Sequence, residues 1–427
     1  MTEQVIQILK DAGLYAWELT EERETGWEFY FIRHELDQNR AKALQSLKIS
    51  VYQRIGEDAV GTAAALLPPT ATAAEAKRLV DSLAYQATLA PNRAFTLNAP
   101  KREHATHRDT VTVDVPAVSR DFLRGMKSLP ETETEFINSY EIFVSAVTRR
   151  YVNSEGIDFT ETYPKSMAEV IVNARNEGHE IELYRMYKSG TCDAGGLRER
   201  LAKTMAYGRD RLRAVPTPML GQTDVAFSGE DAIAVYRFFA ARLSPEMIAR
   251  RMSDWELGKP IVEAAEGDAV TLTALRELPN SSRNHAFDQE GAPIRDVVML
   301  RGNVPERFLG GRMFSAYLGL EDSFQPGNLA VSGGQQSEAA LRQGRYLEPV
   351  EFSDFQVDPM TGDIFGEIRL AYWHDGETVT PVTGGSLSGN MHELLRAIYL
   401  SSETVQYDNW RIPSVTKLRG VTVTGAE

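Results

Sequence analysis

A chain of 427 residues with 42% hydrophobic and 25% charged residues has the balance of an ordinary soluble globular protein, with room for two or three domains or one unusually large one. Its 46 basic residues stand against 60 acidic ones, and the net charge of −14 repels phosphate backbones, so no nucleic-acid partner is expected. No apolar run is long enough to span a membrane, the opening "MTEQVIQILKDAG" lacks a signal-peptide pattern, and the single Cys192 suits a reducing cytosol; the expectation is a cytoplasmic protein without membrane contact.

The opening forms a helix, with Thr2 as cap, Val5, Ile6, Ile8 and Leu9 as its apolar stripe, and Gly13 as its stop. Residues 15–20 and 27–34 alternate and are aromatic, which predicts two strands. Residues 48–67 predict two more around a Gly-Glu-Asp turn, and "TAAEAKRLVDSLAYQATLA" (72–90) is a Thr-capped helix. Residues 93–109 lack periodicity and read as a linker or long loop. A helix near 117–127 follows "TVTVDV"; residues 136–189 then supply a hairpin and a further strand, and 194–213 a helix that ends before Pro216 and Pro218. That proline pair divides the chain into an N-terminal and middle α/β region, 1–217, and a β-rich region, 218–427. The second region begins with one capped helix, continues in short strands punctuated by Gly and Pro, and has another helical stretch near 389–399. The fold class is therefore α+β: an N-terminal antiparallel sheet with helices, then a mainly antiparallel β domain, barrel- or sandwich-like.

Metal chemistry needs imidazoles, thiolates or carboxylates that converge. His34-Glu35 and His392-Glu393 do not continue as HExxH, because Gln38 and Arg396 stand where the second His would be, and they read as strand and helix-surface residues. His104 and His107 lie in a polar stretch beside Lys101, Arg102 and Arg108, which favours a solvated loop over a metal site. Cys192 in "SGTCDAGG" precedes a helix start, yet no His partner accompanies it, which favours an inert thiol. "AVSGGQQSE" (330–338) is a turn before it is an anion nest, and Asp288, Glu290, Asp358 and Asp363 sit near turns, where local hydrogen bonding explains them. No phosphate loop or dinucleotide fingerprint is present.

Longer stretches carry more information in their order: "DVAFSGEDAIAVYRFFAARL" (224–243), "LPNSSRNHAFDQEGAPIRDVVMLRG" (278–302), "GGRMFSAYLG" (310–319), "GNLAVSGG" (327–334), the segment 358–391 around Gly362-Asp363 and Pro381-Val382, and "IPSVTKLRGVTVTG" (412–425). In this order and spacing the chain resembles the TldD/PmbA family, with looser similarity at "RIGEDAVGTA" (54–63) and "VNSEGIDF" (152–159). The family's TldD members are zinc peptidases that work with a TldE (PmbA) partner. Its zinc-binding members carry HExxxH on the helix corresponding to 229–242. Matched to that motif, this sequence has Arg237 for the first His, Phe238 for the Glu and Arg242 for the second His, with Ala241 where the zinc pattern has Gly. The late cysteine ligand is also missing from "VQYDNWRIPSV" (405–415). Arginine has no lone pair for a cation, and Phe238 cannot take a proton from water.

The resemblance implies the PmbA-like branch: a non-catalytic chain without zinc of its own, paired with a TldD-like zinc peptidase subunit or with itself, and handling peptides as extended strands in a cavity between subunits. A stand-alone peptide-binding or scaffold protein is the alternative. Ser228 with Asp231 suggests a capping box for the motif helix, and Ile233, Tyr236, Ala240 and Leu243 its apolar face. Arg237 and Arg242 then read as surface cations, or as contacts to a peptide or interface together with Gly362 and Asp363.

Overall fold

The computed structural model describes residues 1–426. Its N-terminal half is built on β1 (Ala16–Ile32), β2 (Glu35–Ile55), β3 (Ala59–Leu67), β4 (Pro91–Arg93), β5 (Glu135–Asn153), β6 (Asp158–Arg175) and β7 (Glu180–Ser189). They form one seven-stranded antiparallel sheet in the order β4-β3-β2-β1-β5-β6-β7. Strands β1 and β2 are longer than the sequence suggests. The polar run Glu21–Gly26 reads as a break, but its charges find partners along and across the strands: Glu21 accepts from its neighbour Arg23 and from Gln45 of β2, and Lys42 Nζ lies 3.0 Å from Glu24. At Gly26 any Cβ would lie 2.2 Å from the Val144 carbonyl, so glycine permits a close strand approach here and does not end the strand.

Two helix pairs cover the same face of this sheet. Helices α1 (Thr2–Asp11) and α2 (Ala73–Ala87) bury Val5, Ile6, Leu9, Val80 and Leu83 against Trp17, Leu19 and Ile49. Thr72 caps α2, as the sequence predicts, and closes a capping box with Glu75, whereas Thr2 is the first helical residue of α1 and makes no cap. A short turn of helix, α3 (Arg102–Thr106), precedes α4 (Val115–Met126) and α5 (Ala194–Leu212). The last two enclose Phe122, Met126, Leu197, Leu201 and Met205 with Tyr140, Ile142 and Val144 of the sheet.

The C-terminal half contains a small barrel. Strands Gly221–Phe227, Thr416–Thr424, Ser386–Asn390 and Asp363–Asp375 neighbour one another, and Arg345–Val357 closes the ring by pairing with both Asp363–Asp375 and Gly221–Phe227. A six-stranded sheet that includes Leu272–Leu275, Asn328–Val331 and Trp410–Pro413 stands beside it. Val215–Pro216, at the proline pair, already pairs with Val379–Thr383 of the barrel sheet. The helical stretch near 389–399 is shorter than expected: one turn, Met391–Leu394, a 3₁₀ turn, and then the strand Ile398–Leu400.

The two halves meet in two places: α5 bonds Gln406 and Tyr372 of the C-terminal half, and a buried junction lies on the sheet face away from the helices. There Arg149 of β5 and Glu161 of β6 are direct cross-strand partners, 4% and 5% exposed, with Arg149 Nη2 2.5 Å from Glu161 Oε1. Arg149 also donates to the Phe287 carbonyl (2.7 Å), and Glu161 accepts the Ala286 amide (3.0 Å). His285 stands edge-on to Tyr163, 4.3 Å between ring centres; burial, then the charges of Arg149 and Arg283, push its pKa down to about 3, so the ring is neutral.

The stretch 93–109 is correspondingly not a free linker. His104 accepts the Lys101 amide at Nδ1 and donates from Nε2 to the Gly291 carbonyl (2.8 Å), while its ring stacks on Phe287. His107 donates to the Thr160 carbonyl (2.9 Å). His104 bonds the other half at Gly291 and His107 packs its ring edge-on to Phe287, so the solvated-loop reading is corrected for these two side chains: three of their four ring nitrogens have backbone partners.

Breaking a buried pair strands the remaining charge, so Arg149→Ala should cost about 3–5 kcal/mol in denaturant unfolding. Arg150, whose partners Glu3 and Asp158 are exposed, should cost about 1 kcal/mol or less when replaced by Ala. Equal losses would contradict the assignment of the interface to Arg149.

Candidate functional site

Helix α6 (Ile233–Arg242) carries Arg237, Phe238 and Arg242. It leaves the barrel strand Gly221–Phe227 through a 3₁₀ turn at Glu230–Ala232. The expected capping box is absent, because the Ser228 hydroxyl donates to Glu348 of the barrel and not into the helix. Burial specifies α6: Ile233, Val235, Tyr236, Phe238 and Phe239 all enter the main C-terminal core, on more than one side of the helix. The Tyr236 hydroxyl is 2.5 Å from that of Thr416, which ties the helix to the last barrel strand.

The helix is regular, so residues five apart point about 140° from each other, and the three positions serve three different surroundings. Phe238 is 1% exposed and meets Phe239, Trp255 and His392 edge-on at 5.6–5.9 Å. Arg242 is 3% exposed and is not a surface cation. Its guanidinium donates to the carbonyls of Pro359 (3.2 Å) and Met360 (3.4 Å), pairs with Asp254 and stacks over Trp255 and Phe238. Those carbonyls belong to the turn that carries Gly362 and Asp363. Gly362 has φ +78°, and a Cβ there would strike His392 at 2.7 Å, so only glycine fits without a shift. Asp363 accepts from Asn390 (2.8 Å); the Thr361 hydroxyl and the Asn390 amide hold its carboxyl below the ordinary range. Arg242 thus clamps the hairpin between Arg345–Val357 and Asp363–Asp375.

Arg237 alone of the three faces solvent, in a cleft of about 410 Å³ between the two halves of the chain. One wall is the stripe Glu230, Ala234 and Arg237. Opposite are Arg185 and Tyr187, alternate residues of β7, and Arg200, Lys203, Thr204 and Tyr207, at one-turn spacing on α5. Phe352, Phe355 and Tyr407 complete it. Tyr407 ends the strand Thr404–Tyr407, so the structure brings the C-terminal tail and Arg237 to one cleft.

Arg185 is paired with Glu351, whereas among the described residues Arg200, Lys203 and Arg237 have no carboxylate partner. Arg200 donates to the Gln406 carbonyl (2.9 Å) and lies over Tyr407. Burial in the cleft pushes the Glu230 and Asp231 carboxyls up, with Arg200 opposing at Glu230, and pushes the Lys203 ammonium down. Sequence reasoning missed Arg185, Arg200, Lys203 and Tyr407; the signal within reach was the polar stripe of α5, but its facing wall comes from the other half of the chain.

This donor set does not fit zinc. Two guanidiniums and a phenyl ring stand at the motif positions, and among the described residues no three His, Cys, Asp or Glu side chains gather as a metal site. Cys192 lies in an adjoining hollow of about 260 Å³ shared with Tyr187 and Arg200, and burial pushes its thiol pKa up to about 12. Gly333 and Gly334 approach the backbone of Ser402 and Leu400 too closely for any Cβ, which accounts for those glycines without an anion nest. Asp288 accepts the amides of Glu290 and Ala292, the local turn bonding expected of it.

Residues 220–425 match the family model for the PmbA/TldA metallopeptidase C-terminal domain. No curated protein sequence matches the chain. Among solved structures, TldE from Thermococcus kodakarensis superposes with TM-score 0.78 at 17% identity, over 99% of this chain and 100% of that one. Candidate modulators of DNA gyrase share the fold as well: one from Thermotoga maritima (TM-score 0.77, 15% identity, 100% and 99% covered) and one from Bacteroides thetaiotaomicron (0.79, 14%, 99% and 98%). No described helix is long and apolar enough to cross a membrane.

The unlike surroundings of the two arginines have a measurable consequence. Arg242→Ala removes a buried charge that satisfies two carbonyls and should cost about 2–4 kcal/mol in chemical denaturation, while Arg237→Ala should stay within about 0.5 kcal/mol. Similar losses at both positions would contradict this placement.

Proposed function

We propose that this chain, whose C-terminal half belongs to the TldD/PmbA family, is the non-zinc, TldE-like subunit of a metallopeptidase assembly that processes or degrades peptides. The observation that carries the reading is the fate of α6. Hydrolysis by a zinc peptidase needs a Lewis acid on the carbonyl or water and a base for the water proton. Here the motif positions are an exposed guanidinium, a buried phenyl ring and a buried guanidinium clamp, none of which supplies either. The helix is nevertheless packed on several sides and bonded to Thr416, so its surrounding shell is kept without the chemistry. A fold shared over 99% of the chain with a protein named TldE supports the same reading.

Such a subunit contributes cavity wall and dimer surface, and its zinc-bearing relative contributes the reaction. The relative's equivalent surfaces make a pseudo-two-fold heterodimer the natural assembly, with a homodimer when the chain is alone. Assays of this chain, of a relative that retains HExxxH and the late cysteine, and of their mixture, on an unstructured peptide with a chelator control, test the proposal. The expected result is no cleavage by this chain and chelator-sensitive cleavage by the mixture above that of the relative alone. Chelator-sensitive cleavage by this chain by itself overturns it.

A further inference from the structure

We propose that the Arg237 cleft is a binding site for a carboxylate group of a peptide, with Arg200, Lys203 and Arg237 as its donors. The proposal rests on the reading of the chain as a peptide-handling subunit and names what its own cleft recognises.

Three observations converge on it. First, the cations come from separate elements and face one space: Arg200 and Lys203 from α5, Arg237 from α6. A chain with net charge −14 has little reason to gather cations by chance in one cleft. Second, these charges lack carboxylate partners among the described residues, although Glu230, Asp231 and Glu351 line the same cleft and Glu351 has already taken Arg185. Lys203 and Arg237 are exposed in the cleft and have no close counter-ion there. A ligand carboxylate would supply that counter-ion through charge-assisted hydrogen bonds.

Third, the remaining lining selects the kind of anion. Tyr207, Tyr407, Phe352 and Phe355 offer flat apolar surface beside the cations, as a peptide side chain next to its carboxylate requires. The three carboxyls of the lining oppose a doubly charged phosphate more than a singly charged carboxylate. A peptide can present that group as its C-terminus or as an acidic side chain, and both have the same chemistry at the guanidinium.

The test is fluorescence anisotropy on the full chain, without any partner, using a short labelled unstructured peptide that carries one glutamate and a free C-terminus. Its amidated form, its Glu→Gln form and the doubly blocked form provide the arms. The doubly blocked peptide should bind at least about tenfold more weakly, and the single change that reproduces this loss identifies the source of the carboxylate. The exposed pair Lys203→Ala/Arg237→Ala should lose a similar factor for the free peptide and nothing further for the blocked one, whereas Arg237→Lys should retain most of the affinity. The proposal is overturned if the blocked peptide binds as tightly as the free one, if the double variant binds like the wild type, or if the free peptide does not bind. Failure of these binding arms with the mixed peptidase assay still positive removes the cleft alone; intact binding with an inactive mixture removes the subunit reading instead.

Discussion

Arg149 and Glu161 lie opposite each other on neighbouring strands, almost wholly removed from water, and each also bonds a backbone group of residues 286–287. Removing two charges from water costs several kcal/mol per ion, and their attraction offsets this only where further hydrogen bonds complete the geometry. Those further bonds come from the other half of the chain. The N-terminal sheet therefore cannot satisfy its own buried pair without the β domain, and the segment at 285–293 is held where His104, His107 and Phe159 can pack around Phe287. Because this junction fixes how the halves sit, it also decides that β7 and α5 stand across from α6, and so that a cleft exists between them.

Within that frame α6 has one face in the cleft and the others in the core. A regular helix cannot turn positions 237 and 242 to a common point, and here they serve opposite needs: Arg237 is exposed at the cleft, and Arg242 holds the Asp358–Asp363 turn from behind. A buried guanidinium bonded to two carbonyls and an aspartate is demanding in geometry, so a histidine at 242 would remove a structural part. The different roles of Arg237 and Arg242 are thus written into the packing of the helix and not only into the identity of its side chains.

Much of the fold was legible from periodicity. The helices at 72–90 and 194–213, the alternating strands of 136–189 and the β-rich second half all follow from apolar spacing and turn residues. The errors share one cause, which is that partners distant in sequence override local cues. Glu21–Gly26 reads as a break until Lys42 and Gln45 are seen across the strand, and Ser228 reads as a cap until its hydroxyl is seen to donate to Glu348; 93–109 is largely the loop it reads as, but its histidines are held by Gly291 and Thr160. At the site, the identities of Arg237, Phe238 and Arg242 were visible in the sequence, but their divergence was not. Nor was the company of Arg237, since Arg185, Arg200 and Lys203 come from a sheet edge and a helix on the far side of the domain junction.

The central claim is that the metal of such an assembly belongs to the relative and not to this chain. Elemental analysis of the protein purified from its native cell, with the co-purifying chains identified and then separated without chelator, tests it most directly. The account predicts zinc in the HExxxH-bearing partner and less than about a tenth of an equivalent in this chain. About one tightly held zinc per copy of this chain, retained after separation, would contradict it.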